Sequence, residues 1–475
     1  MSESINQTSN KTNPQPDASE YSRRDFLKNT GRLAAVSALA GVTIPHVHAA
    51  ESGTLQVALI GCGGRGSGAA SNALSVKKGP ITLAAMADVF EHRLKGSYSA
   101  LKEQHGDLVD VPEDRRFIGF DGYKNAMDAL KPGDIAIFAT PLAFRWVHFA
   151  YAIQKKLNVF MEKPVTADGP TSRRMLKLAE ESESKNLKVG VGLMSRHSRA
   201  MQELHQRIQD GEIGDITLMR GYRMHGPVAS AFSEKWPGKP SELLWQISRF
   251  HSFLWASGGC YSDFYIHHID HLCWMKNAWP VKAQALGGRH YRQSPDGKVW
   301  IDQNFDSYSV EYTFADGAKF IFDGRCNTGA APFYATYAHG TKGMAVVSKS
   351  GDCGLPSSTH KGQNPERENM IWQSKVKPEE RDPYANEWND LINAIRDDKP
   401  YNEAKRGVEA SLVTSMGRMA AHTGMEISYD EMLNCEHEFA PDADKLTLDS
   451  PPPVKADADG KYPVPQPGMT TKREY

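Results

Sequence analysis

From Thr54 onward, short apolar runs alternate with stretches whose apolar positions recur at helical spacing. Leu55 to Ile60, Ile81 to Ala87, Asp134 to Ala139, Asn158 to Met161 and Lys188 to Leu193 read as strands. Apolar runs of this length suit strands covered on both faces. Between them, Ala69 to Leu74, the stretch from Pro141 to about Lys156, and 171–185 read as helices. Strand alternating with helix at this spacing predicts a doubly wound parallel α/β sheet over 54–193.

The rhythm changes after 194. Met201 to Asp210 reads as a helix and Ile216 to Arg223 as a strand, followed by an irregular stretch, 225–257, dense in Trp, Pro, Ser and Arg. Tyr308, Val310, Tyr312 and Phe314 alternate into Asp316-Gly317 and on through Phe320 and Phe322, the pattern of an antiparallel hairpin. Helices are expected at Ala385–Arg396 and Lys405–His422. This mixture predicts an α+β domain over 194–437. The remainder, 438–475, carries Pro451-Pro452-Pro453 and many Asp and Lys, and reads as an extended surface strap or a disordered tail.

The first fifty residues stand apart. A polar leader precedes Ser22-Arg23-Arg24-Asp25-Phe26-Leu27-Lys28, then a small-residue apolar stretch from Leu33 to Ile44, then Val47-His48-Ala49 before Ala50. This order is that of a signal peptide, and the arginine pair resembles a twin-arginine signal. It predicts cleavage near residue 50, passage through the twin-arginine export machinery and a periplasmic location. The apolar stretch is too short to span a bilayer, so stable membrane insertion is not expected. A formal net charge of −1 gives no field that argues for nucleic acid. The six cysteines, Cys62, Cys260, Cys273, Cys326, Cys353 and Cys435, show no metal-ligand spacing, so no metal site is expected.

Gly61-Cys62-Gly63-Gly64-Arg65-Gly66 fits G-x-G-x-x-G and lies between a predicted strand and a predicted helix, the context in which that pattern binds a dinucleotide. Gly61 allows the tight turn, Gly63 and Gly64 let amides approach a pyrophosphate, and Gly66 lets helix and strand pack closely. Asp88 closes the second strand, where a carboxylate accepts ribose hydroxyls and repels a 2′-phosphate. The domain therefore reads as a Rossmann domain for NAD rather than NADP, with Arg65 as a competing partner for a phosphate.

Glu162-Lys163-Pro164 ends a parallel strand, where ligands of such sheets bind. From the residues alone, Lys163 is either a surface lysine before a turn or a group that polarises a substrate oxygen. The order glycine loop, Ala139-Thr140-Pro141, Glu162-Lys163-Pro164, then a Gly-Gly segment with Asp and His, resembles the Gfo/Idh/MocA oxidoreductases over about 54–425. The resemblance implies a Rossmann domain followed by a large, open-faced, mostly antiparallel sheet often used for oligomerisation, here as a dimer or tetramer. It also places Thr140, Pro141, Glu162 and Lys163 at the cofactor, and Lys163 at the reacting oxygen. Leu142 and Arg145 depart from the family's residues at those positions.

Gly258-Gly259-Cys260-Tyr261-Ser262-Asp263-Phe264-Tyr265-Ile266-His267 resembles the family's second signature, with Cys260 and Tyr265 in place of glycines. Asp263, His267 and Asp270 share one helix face. A carboxylate beside an imidazole fixes its tautomer and stabilises its cation. By resemblance His267 is the general acid or base and Asp263 supports it. Arg196, His197 and Tyr265 are the expected substrate contacts, and His251 is one of several polar and aromatic side chains crowding 225–257. These features predict an NAD-dependent oxidoreductase acting on a sugar, polyol or sugar derivative, with its cofactor tightly bound. A redox-neutral glycosidase or epimerase using bound NAD, and a non-catalytic sensor, are the alternatives.

Overall fold

The computed structural model describes residues 53–294, 296–349 and 356–475. The predicted leader, with Arg23-Arg24, and Cys353 lie outside the described residues. The first sheet has six strands, all parallel: β1 (Leu55–Ile60), β2 (Ile81–Asp88), β3 (Arg116–Ile118), β4 (Ile135–Phe138), β5 (Asn158–Met161) and β6 (Val189–Val191). Their order is β3-β2-β1-β4-β5-β6. Helices cover both faces, which is why the sequence shows unbroken apolar runs: every residue of β4 is 0% exposed. The strand order reverses between β1 and β4, and a crevice opens at their C-terminal ends.

Helix Gly64–Leu74 begins inside the glycine loop, earlier than Ala69, because Gly66 lies directly against Gly61. Strand β3 and helix Glu91–His105 were not predicted. The strand is a three-residue, half-exposed edge, and the helix buries only Leu94, Ser97 and Leu101, too thin an apolar stripe to read.

The second sheet has nine strands in the order β14-β13-β12-β11-β7-β10-β9-β8-β15. They are β7 (Ile216–His225), β8 (Lys282–Gly288), β9 (Ser307–Thr313), β10 (Lys319–Cys326), β11 (Phe333–Gly340), β12 (Gly343–Ser348), β13 (Ser358–Lys361), β14 (Met370–Gln373) and β15 (Ile427–Ser428). All pairs are antiparallel except β7 with β10. The predicted hairpin is β9–β10. Helices Gly259–Lys276 and Ala404–Thr423 cover one face. β10 alternates accordingly, with Phe320, Phe322 and Cys326 turned inward. Helix Pro383–Arg396 returns to the first sheet, where Trp388 packs on Phe160 with ring centroids 4.5 Å apart.

The C-terminal segment is the expected extended strap rather than a disordered tail, with more burial than its composition implies. It is an ordered strap whose far end is internal. Phe439, Ala440, Val454 and Tyr462 are buried, and Glu474 is 2% exposed. Glu474 accepts from Arg418 Nη2 at 2.8 Å and is paired with His422 Nδ1 at 2.6 Å. A Pro-, Asp- and Lys-rich composition hides this burial, because isolated anchors rather than a periodic face hold the strap down.

Candidate active site

A cleft of about 660 Å³ runs from the glycine loop, past the ends of β2, β4 and β5, to the N-terminal turns of helix Gly259–Lys276. Gly61 holds φ at +96°, and a Cβ there would sit 2.6 Å from the Ala139 carbonyl carbon. A Cβ on Gly66 would collide with the Gly61 oxygen. On Gly63 or Gly64 it would meet nothing within 4 Å, because that face of the loop is open ground. The helix behind it has no side-chain cap and no acidic residue in its first turn. Its free amides and dipole are therefore left for an anion. This cradle fits a dinucleotide pyrophosphate.

Asp88 accepts the Cys62 amide at 2.6 Å and the Phe90 amide at 2.8 Å, which fixes its carboxylate at the cleft wall. Burial raises its pKa from the usual value, against those two amides and the nearby charge of Arg93. Arg65 turns away from Asp88. Its Nε donates to Glu162 at 2.7 Å, and its guanidinium lies 4.6 Å from the Tyr384 ring centre. Thr140 and Pro141 line the cleft at the end of β4. Arg145, at one of the positions departing from the family pattern, donates to the Phe138 carbonyl at 2.6 Å and to the Thr140 carbonyl at 3.1 Å, bracing that strand end.

Lys163 and Asp263 meet across the cleft. Lys163 Nζ lies 2.6 Å from the Asp263 main-chain oxygen and 3.2 Å from its Oδ1. The other carboxylate oxygen lies 3.4 Å from His251 Nε2, and His251 Nδ1 lies 2.9 Å from Ser230 Oγ. Burial holds the His251 pKa below the usual value.

The expected Asp263–His267 hydrogen bond is absent; Asp263 instead faces Lys163 at 3.2 Å and His251 at 3.4 Å. His267 is 6% exposed, does not line the cleft, and its Nδ1 has no hydrogen-bond partner. Burial first, then the charge of nearby Lys163, pushes its pKa well below the usual value, so the ring is uncharged near neutral pH.

Three expected substrate contacts are placed elsewhere. Tyr265 is fully buried: its ring lies on Gly324 of β10, and its hydroxyl is 3.2 Å from Cys326 Sγ. Arg196 pairs with Asp270 at 2.8 Å. His197 sits between Asp390 at 2.7 Å and Glu403 at 3.2 Å. Those buried ion pairs join helices away from the cleft. Conversely, His251, Ser230 and the strap residues Ala443, Asp444 and Leu446 do line it. In the sequence His251 is only one polar residue in an aromatic-rich segment, and nothing in the strap's composition points to the cleft.

The fold and the cleft define a two-domain protein with a Rossmann domain and an open-faced sheet, the architecture of Gfo/Idh/MocA dehydrogenase structures. Residues 201–346 match the model of the GFO/IDH/MocA C-terminal domain. An inositol 2-dehydrogenase of Corynebacterium glutamicum is 25% identical over 101 residues, which is 21% of this chain and 29% of that relative's length. Among solved structures, levoglucosan dehydrogenase in complex with NADH and levoglucosan superposes with a TM-score of 0.60 at 17% identity, over 79% of this chain and 99% of that one. The aldose-aldose oxidoreductase of Caulobacter crescentus, complexed with glycerol, gives 0.58 at 16% identity over 79% and 99%. At these identities the shared property is the fold.

Proposed function

We propose that the chain is a Gfo/Idh/MocA oxidoreductase that uses NAD to oxidise or reduce a CH–OH carbon of a sugar, polyol or sugar derivative. One observation carries this reading: the open ground over Gly63 and Gly64 continues in a single cleft to the Lys163–Asp263 contact. Amides of the glycine loop would hold the pyrophosphate, Asp88 the adenosine ribose, and Thr140, Pro141 and Glu162 the walls of the remaining course. The bound nicotinamide supplies the hydride acceptor or donor, and the protein supplies position and proton handling.

Lys163 Nζ, held by Asp263, donates to the reacting oxygen. The family resemblance names His267 as the base; its ring lies behind the cleft lining, uncharged through burial and the lysine's field. His251 is a positioning residue: through Asp263 it sets where the lysine points. Aromatic and hydroxyl groups at the cleft mouth, Phe250 and Ser230 among them, suit the apolar and hydroxyl faces of a sugar ring. The test is to purify the protein, release its nucleotide, and screen sugars and polyols with added NAD. Net NADH formation supports a dehydrogenase; no turnover with any of them removes the reading.

The strap residues at the cleft favour a second reading, in which tightly held NAD is oxidised and reduced within one cycle, as in an epimerase or glycosidase. Product without net NADH marks that outcome. Export through Arg23-Arg24 to the periplasm belongs to the same proposal. So does pairing of subunits through the uncovered face of the large sheet, where Leu286 is 78% and Phe333 45% exposed. Among the described residues no helix is long and apolar enough to cross a membrane.

A further inference from the structure

We propose that residues 443–446 of the C-terminal strap are part of the nucleotide site, forming the outer wall of its adenosine half. This rests on the nucleotide-binding reading above and extends it to a segment outside both sheets.

Ala443, Asp444 and Leu446 line the same cleft as the glycine loop. The turn Ala443–Lys445 packs against the turn Leu142–Phe144 that follows β4. Tyr123, in the helix that follows β3, lines the same cleft as Asp444. In the sheet order, β3 and β2 lie on one side of β1, and β5, whose end leads to Lys163, lies on the other. The turn after β4, which the strap touches, lies between these two sides, and the apolar neighbours of Leu446 place the strap toward Asp88. Leu446, Val89, Phe90 and Phe120 pack against one apolar cluster. They leave a slot with apolar walls and a carboxylate at its edge, which is the chemistry of an adenine base and its ribose.

The segment is fixed on both sides. Upstream, Glu438 takes both Arg174 nitrogens at 2.7 and 3.0 Å, and the Phe439 amide donates to Asp168 at 3.0 Å. Downstream, Gln246 donates to the Val454 carbonyl at 2.7 Å and Tyr462 to Glu242 at 2.6 Å. Between these anchors the side-chain hydrogen bonds are local, such as Lys445 to Asp442 at 2.8 Å. The strap thus bridges the cleft as a tethered wall, and a nucleotide leaves by displacing it.

ADP-ribose and nicotinamide mononucleotide separate the two halves of the site. Leu446→Ala should release ADP-ribose about tenfold faster, equivalent to about 1.4 kcal/mol, with nicotinamide mononucleotide binding unchanged. In the wild type, ADP-ribose should slow amide hydrogen exchange across 443–448. Equal ADP-ribose release from wild type and variant, or exchange unaffected by ADP-ribose, overturns the assignment while leaving the nucleotide reading intact. Failure of the wild type to bind either ADP-ribose or NADH overturns both.

Discussion

Lys163 Nζ lies 2.6 Å from the main-chain oxygen of Asp263, a contact between residues 100 positions apart that joins the end of a parallel strand to the start of a helix on the second sheet. The ammonium is thereby aimed along the cleft by a backbone atom that cannot rotate away. Lys163→Met keeps the length and removes the donor. Turnover should fall by about 10²–10⁴-fold, the usual contribution of a positioned acid–base group, while NADH affinity stays within about twofold. Steady-state kinetics beside fluorescence titration read both, and near-normal turnover would remove Lys163 from the chemistry.

His267 and His251 should separate by kind of defect. His267→Asn should cost about 10²–10⁴-fold in kcat. His251→Asn acts through Asp263, so it should cost only about tenfold and shift the pH profile of kcat. Ser230→Ala should shift that profile in the same direction by less. A larger loss for His251→Asn than for His267→Asn would transfer the base role to the cleft-lining imidazole.

Asp88 and Arg93 stand together at the adenosine end of the cleft. Asp88→Ser removes the charge that repels a 2′-phosphate and leaves a guanidinium to receive one. The ratio of NADP to NAD affinity should rise by at least about tenfold, roughly 1.4 kcal/mol. Calorimetric titration of both nucleotides checks it, and a wild type that already prefers NADP tenfold contradicts the role given to Asp88.

Burial holds the His148 and His271 imidazoles down at about 3. Unfolded histidines take protons near pH 6.5, so below that pH the unfolded chain binds more protons than the folded one. Stability is therefore complete above pH 6.5 and is lost as pH falls toward the folded values. Each ring costs about 1.4 kcal/mol per pH unit, and the pair about 4 kcal/mol at pH 5. His267 and His268 shift in the same direction. Urea midpoints should drop steeply between pH 7 and pH 5; equal midpoints would contradict the account.

Glu474→Gln leaves the Arg418 guanidinium buried without its counter-charge, which should destabilise the fold by about 3–5 kcal/mol. Restoring a carboxylate with Glu474→Asp should recover part of this. Chemical unfolding of the three proteins measures it, and a loss under about 1 kcal/mol would show the pair to be incidental.

The parts of the molecule legible in the sequence are those whose signal is local. β1, β4 and β5 announce themselves because both faces are covered, and the glycine loop because its chemistry is contiguous. The helix spacing of Asp263 and His267 is also local, but their partners are not. Lys163 and His251 face the Asp263 carboxylate from two different elements, and the expected bond within the helix is absent. Tyr265 resembles a pocket residue until Gly324, far along the chain, supplies the flat surface that buries it. Arg196 and His197 sit at the junction where a substrate contact is plausible, yet Asp270, Asp390 and Glu403 arrive from helices that no pattern ties to them. The strap lacks any periodicity, since it is held by single residues spaced irregularly.

Arg418 and Glu474 are separated by 56 positions. At about 5–20 residues per second of synthesis, the ribosome makes the guanidinium roughly 3–11 seconds before the carboxylate that neutralises it. Until then helix Ala404–Thr423 carries a charge at the position it must bury against Gly258 and Ser262. Burial of that helix face is thus coupled to the strap, because its counter-charge is encoded 56 positions later.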